Sequence, residues 1–270
     1  MALNDPWPVQ RFGPAGLTGP TDDLLAAEEP LELRGRDATG LERPLAVLMR
    51  TPGADLQLLR GWQHAEGLPG TLAPHPENPN VWILAGEVPA DYAARHTSSA
   101  CGICGSGSIE RLLLRSGGLP LRPSLDPAWL AELPEQLRTG QSGFAASGGL
   151  HGAALFAPGG AVPLCLFEDI GRHNAADKVI GWALDHPEVD RPGSVLAISS
   201  RLGYEIAQKA VLADIGAVVG VGAATTLAAQ TAQTFGLLLC GFARGGRLTV
   251  YAGAERLRPA PAAGAAQRSS

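Results

Sequence analysis

The sequence predicts an α/β protein in two parts: a larger carboxy-terminal sheet with helices on both faces, and a smaller α+β portion ahead of it. Three observations carry this. From about residue 151 onward, strand-like and helix-like segments alternate in strict order. The strands of that half, "SVLAIS", "AVVGV" and "LLLCGF", are apolar at nearly every position, as befits strands buried on both faces of a largely parallel sheet. The first half instead offers scattered short strands and only two helices.

In chain order, residues 1–24 are rich in proline and glycine and are expected to be poorly ordered. The smaller part spans 25–140, with strand candidates "LELRG", "PLAVLMR" and "VWILAG". A helix is expected after Thr51, with Pro52 in its first turn, Leu56, Leu59 and Trp62 on one face, and Gly67 as its stop. A second helix, "SIERLLLRS", is expected with Ser106 or Ser108 as its cap and Gly117 as its end. "PLRPSLDPAWLAELPEQLRTGQSGF" reads as a connecting arm with a short helix.

The larger part spans 141–256. "ALFAPGGAVPLCLFED" reads as a hairpin turning at "PGG". A helix from Asn174 follows, with Asp177 in its first turn and Val179, Ile180, Ala183 and Leu184 on its buried face. Then come "SVLAIS", helix "YEIAQKAVLADIG", "AVVGV", helix "TLAAQTAQTFG", and the strands "LLLCGF" and "LTVYA". The tail, 257–270, lacks apolar periodicity and is expected to be disordered.

Composition narrows the function classes. A net charge of −5 gives no general footprint for nucleic acid or for an anionic membrane, so an anionic ligand has to be met locally. No apolar run reaches the length of a membrane span, and the first residues lack the basic and apolar segments of a secretory signal. The expected compartment is therefore the reducing cytoplasm, where a close cysteine pair more often does chemistry than forms a structural disulfide.

Three clusters could carry that chemistry. Cys101 and Cys104 lie in "SSACGICGSGS", a loop of small residues directly ahead of a helix. A thiolate there is stabilised by the helix N-terminus and stays accessible; residue type alone leaves thiol chemistry and half of a metal site about equally open. In "FEDIGRHNAADK", Arg172, His173 and Asn174 stand at a strand-to-helix turn. They read either as an Asn174 cap among solvated charges or as donors for an anion or a nucleotide edge. In "GFARGGRLTVYA", Arg244 and Arg247 flank Gly245 and Gly246, which fits a plain hairpin or a phosphate grip. Cys165 and Cys240 lie in apolar runs and read as inert core thiols. His64-Ala65-Glu66 ahead of Cys101-x-x-Cys104 superficially matches a zinc deaminase signature. Ala100 replaces its proline and His64 falls at a helix end, so the match is read as accidental.

"CGICG", "FEDIGRHNAADKVIG", "SSRLGYEIAQKA" and "GFARGGRLTVYA", in this order and spacing, resemble the FdhD family of formate dehydrogenase accessory sulfurtransferases. "TGQSGFAASGGLHGAALF" is similar to the family's approach to the second of these. The resemblance implies a mixed sheet of the cytidine deaminase type, with helices on both faces, without its zinc chemistry. It implies a sulfur relay: a cysteine desulfurase hands a persulfide to Cys101, with Cys104 assisting release. The sulfur then passes to the molybdenum or tungsten of a bis-pterin guanine dinucleotide cofactor, bound as cargo, for formate dehydrogenase. Phe242, Ala243, Arg244, Gly245, Gly246 and Arg247 would contact the dinucleotide end, with Arg172, His173 and Asn174 placed near it. A homodimer is implied, and no structural metal. The chain departs from the family at His64, at Gly203-Tyr204 and at Gly222 with Ala224. Apart from the resemblance, the rival readings are a cofactor chaperone that moves no sulfur, a dithiol oxidoreductase and a zinc protein.

Overall fold

The structure, a computed structural model, describes residues 3–36, 39–86 and 122–258 and, between them, Val88, Tyr92, Arg95–Thr97, Leu112 and Arg115. The amino-terminal part is a five-stranded mixed sheet in the order β7-β8-β5-β6-β9. Its strands are β5 (Glu29–Arg36), β6 (Glu42–Arg50), β7 (Thr71–His75), β8 (Asn78–Ala85) and β9 (Arg95–Thr97). Helix α1 (Asp55–Glu66) covers one face, where Leu58, Leu59 and Trp62 meet Leu31, Leu33, Leu45, Leu48 and Leu84.

Helix α1 starts later than expected. Ala54, in the left-handed region at φ 55°, turns the chain into the helix, so Pro52 lies outside it and Leu56 faces outward. Gly67 ends the helix at φ 71°, as the sequence indicated. From Asn4 onward the segment 1–24 carries strands, where little regular structure was expected. Strands β1 (Asn4–Val9) and β4 (Thr21–Ala26) pair antiparallel, and β2 (Phe12–Gly13) pairs β3 (Gly16–Leu17) at the tip. Proline suppressed the strand reading, yet a two-stranded ribbon has free edges on which a missing N–H costs nothing.

The carboxy-terminal sheet has the order β11-β10-β12-β13-β14-β15. Its strands are β10 (His151–Phe156), β11 (Cys165–Asp169), β12 (Val195–Ile198), β13 (Ala217–Gly220), β14 (Leu238–Arg244) and β15 (Arg247–Ala252). Only β12, β13 and β14 run parallel; the hairpins at either edge make the sheet mixed, as the family resemblance implied, where the apolar runs by themselves suggested a largely parallel one. Uniform apolar runs reported burial on both faces, and β10 is buried as fully as the parallel strands, so apolarity could not reveal its direction.

Helices α4 (Arg172–Leu184), α5 (Tyr204–Leu212) and α6 (Thr226–Thr234) pack on one face, over Ala153, Leu155, Leu196, Ile198, Val218 and Leu239. Helix α2 (Pro127–Gly140) covers the other with Leu130, Leu133 and Leu137. The expected "arm" is thus a full helical layer of the second sheet, and the boundary drawn at 140 cuts through that part. Pro127 in the first turn and the Asp126 cap mark the start of α2, but the mid-helix Pro134 disguised fourteen residues of helix.

The two parts meet where α1 crosses α4. A Cβ on Gly61 would overlap the Asp177 carbonyl oxygen, and one on Gly181 would overlap that of Gln57. The backbones touch because neither helix carries a side chain there. Gly181→Ala is expected to cost about 3 kcal/mol, at the upper end for overpacking. Urea unfolding checks this; a cost under about 0.5 kcal/mol would mean the crossing yields freely.

Candidate functional site

At the carboxyl ends of the parallel strands, the position where open α/β sheets bind ligands, lies a cavity of about 690 Å³. Its floor holds Ser199, just after β12, Val221, just after β13, and Ala243 with Arg244 at the end of β14. Arg138 of α2, Phe144 of the short helix α3 (Ser142–Ser147), and the Gly148–His151 segment form its walls. The volume suits a nucleotide-sized ligand.

The Arg244–Arg247 hairpin contributes one rim. Gly245 and Gly246 take φ values of 57° and 71°, the two positive angles of a tight hairpin turn that glycine adopts without strain. A bulge between Gly241 and Arg244 puts Phe242 at φ 51°, half-exposed, while Ala243 points into the core. Ala243, Arg244 and Gly245 line the cavity; Phe242, Gly246 and Arg247 stand outside its wall, with Arg247 exposed.

Arg172, His173 and Asn174 open α4, which begins two residues earlier than expected with Gly171 at its cap and no side-chain cap. The charges around them are not solvated. Asp169 fills four acceptor positions: Oδ1 from Gly171 N (2.9 Å) and Asn174 Nδ2 (2.9 Å), Oδ2 from Thr51 N (3.2 Å) and Lys178 Nζ (2.8 Å). Lys178 spends its other two protons on the carbonyls of Thr51 (3.0 Å) and Glu168 (3.1 Å). Asn174 gives its second amide hydrogen to Met49 O at 2.8 Å, leaving no donor for a ligand. Glu168 receives the first amides of α3, Gly143 N at 2.8 Å and Phe144 N at 2.7 Å. The motif therefore ties β6, β11, α3 and α4 together, and none of Arg172, His173 and Asn174 lines the cavity. Charge density in the sequence looked like exposure because paired burial leaves the same letters.

His173 is buried, its Nε2 3.7 Å from Glu205 Oε2 and without a hydrogen bond. Burial first, then Arg172 and Lys209, push its pKa down to about 3. Burial also lowers His64 and His151. Such histidines add stability above the unfolded value of 6.5 that is lost as pH falls toward the folded one. Asp177, pushed up to about 6 by burial against the pull of Lys209, works the other way between 3.8 and 6. With three histidines against one carboxylate, the urea midpoint is expected to fall from pH 6.5 to pH 4. A flat or rising midpoint would refute the neutral buried histidines.

Cys101 and Cys104 lie outside the described residues. Burial raises Cys165 and Cys240 to about 12, so both remain protonated, unreactive thiols at neutral pH. His64 Nε2 meets Leu212 O at 2.8 Å and Arg115 caps the same helix end through the His64 and Ala65 carbonyls, which leaves no deaminase-like orientation. Among the described residues, no helix is long and apolar enough to cross a membrane.

The sequence reading missed Gln141, Phe144, His151 and Ser199. The signal available was position: His151 opens β10 and Ser199 directly follows the parallel strand β12, whereas Gln141 and Phe144, at and in the short helix α3, carried none.

Comparison with known proteins places this architecture. Residues 26–258 match the model of the FdhD/NarQ family. A protein named sulfur carrier protein FdhD from Nocardia farcinica is 41% identical, over 93% of this chain and 93% of its own length. One of the same name from Corynebacterium efficiens is 40% identical over 86% and 90%, and one from Thermoplasma volcanium 35% identical over 87% and 90%. In fold, the chain is similar to a crystal structure of a candidate formate dehydrogenase accessory protein from Desulfotalea psychrophila, with TM-score 0.72 at 20% identity, covering 95% of this chain and all of that one. The chain belongs to the FdhD/NarQ family.

Proposed function

We propose that this protein is a sulfur carrier in formate dehydrogenase maturation, moving sulfur from a cysteine desulfurase to a molybdenum bis-pterin guanine dinucleotide. The observation that carries this reading is the 35–41% identity, over most of the chain, to proteins named for sulfur carriage. Cys101 and Cys104 supply thiols for it, since Cys165 and Cys240 are held protonated in the core. The cavity at the strand ends, with Arg244 on its rim, supplies a seat of suitable size for the nucleotide end of the cargo.

The Cys101 thiolate attacks the terminal sulfur of the donor persulfide, the donor sulfur–sulfur bond breaks, and the desulfurase cysteine leaves as thiolate. Cys101 then carries the persulfide. Attack of the Cys104 thiolate on Cys101 Sγ releases sulfide to the metal and leaves a Cys101–Cys104 disulfide, which a dithiol reductant returns to two thiols. The carrier works as a homodimer.

The test is peptide mass spectrometry after incubation with a cysteine desulfurase and free cysteine. One added sulfur is expected on the Cys101–Cys104 peptide, removable by reductant, absent in Cys101→Ala and present in Cys104→Ala. No gain with several active desulfurases would sink the relay and leave a cargo chaperone that moves no sulfur.

A further inference from the structure

The cavity has one feature that the proposed function does not use. Gln141 joins α2 to α3, is 3% exposed, and lines the cavity, yet its Nε2 has no hydrogen-bond partner in the protein. A buried amide left unpaired costs free energy, so its persistence calls for a partner that arrives from outside. The α3 amides that a side chain here could cap are already taken by Glu168. Room for the carboxamide comes from Gly152, where a Cβ would stand 2.6 Å from Nε2.

Its surroundings select the ligand chemistry. Phe144 and Leu150 give the wall apolar area that suits a flat, uncharged ring. His151 and Ser199 add neutral polar atoms: Ser199 Oγ accepts Gly152 N–H at 2.9 Å, which frees its proton for His151 Nδ1 at 3.4 Å. The ring proton of His151 then belongs on Nε2, a second neutral donor. The cationic group on the β14 side, Arg244, is exposed on the rim. A diphosphate is best met by that exposed arginine, and a base by the buried amide.

We infer that Gln141 is a specificity-determining residue that hydrogen-bonds the base edge of a guanine nucleotide, which enters base first and leaves its phosphates at Arg244. The inference rests on the cavity being the nucleotide seat of the proposed function.

Calorimetric titration of the full chain with guanosine and with GDP tests it, alongside thermal unfolding without ligand. Gln141→Met keeps the volume and deletes the unpaired amide. It is expected to weaken guanosine and GDP by the same factor, about tenfold, while the Tm holds or rises. Arg244→Ala is expected to weaken GDP severalfold and leave guanosine unchanged. Equal binding of both ligands by wild type and Gln141→Met overturns the inference alone, as does a Tm fall of more than a few degrees, which would make Gln141 structural. Loss of GDP but not guanosine affinity in Gln141→Met reverses the orientation and also overturns it. If the wild type binds neither ligand, the nucleotide seat itself fails, and this inference with it. The persulfide experiment stands independently.

Discussion

Asp169→Ala is expected to destabilise the protein by about 3–5 kcal/mol, the usual penalty for leaving one partner of a buried ion pair alone. The carboxylate is fully buried and fills four acceptor positions, while Lys178 has its three protons committed around it. Removing the carboxylate leaves an ammonium and two backbone amides short of partners in a place water does not reach. The loss also cuts the tie between the two sheets, because Thr51 follows β6 and Asp169 ends β11. Urea unfolding of Asp169→Ala, Lys178→Met and the double variant measures it. The double variant is expected to be more stable than Asp169→Ala, since no buried charge remains unpaired. A cost below about 1 kcal/mol, or additive single effects, would show that the pair does not hold the parts together. Asp23→Ala, which breaks the exposed pair with Arg11, is the contrast and is expected to stay within about 0.5 kcal/mol.

The largest expected effect on activity is at Cys101. In cells lacking their own sulfur carrier, the protein with Cys101→Ala is expected to leave formate dehydrogenase activity at background, while its folding and its GDP affinity match the wild type. Among the described residues no other thiol can stand in as nucleophile: burial holds Cys165 and Cys240 at about 12, which leaves almost no thiolate at neutral pH. Cys104→Ala is expected to keep the persulfide but slow its release, which separates the two roles. Full dehydrogenase activity with Cys101→Ala would refute the relay even if the cargo still binds.

Much of the second part was legible because its elements are locally self-consistent. The strands β12, β13 and β14 and the helices α5 and α6 lie where alternation placed them, since each has its own apolar pattern and ends at Gly or polar residues. Helix α2 was underestimated because Pro134 reads as a breaker, although a neighbouring layer holds the helix through it. The amino-terminal ribbon was missed because β1 carries Pro6 and Pro8 and its partner β4 opens on Thr21, Asp22 and Asp23, so neither looks like a strand by itself. In the site, the Arg244–Arg247 turn was readable from Gly245-Gly246, whose backbone angles only glycine takes cheaply. Gln141 was not, since an unpaired amide is a relation between one side chain and everything around it.

The sequence alone determined the strand–helix alternation of the second part, the glycine turns, the placing of two thiols in apolar strands, and the motif order that resembles the family. These depend on neighbours within a few positions, where periodicity, glycine and proline act directly. The tertiary structure alone decided that Asp169, Asn174 and Lys178 are a buried clasp rather than a solvated face. It alone brought Gln141, His151, Ser199 and Arg244 around one cavity. Burial and hydrogen-bond satisfaction are set by contacts between residues as many as 148 positions apart, such as His64 and Leu212, and residue type does not encode which of those contacts form.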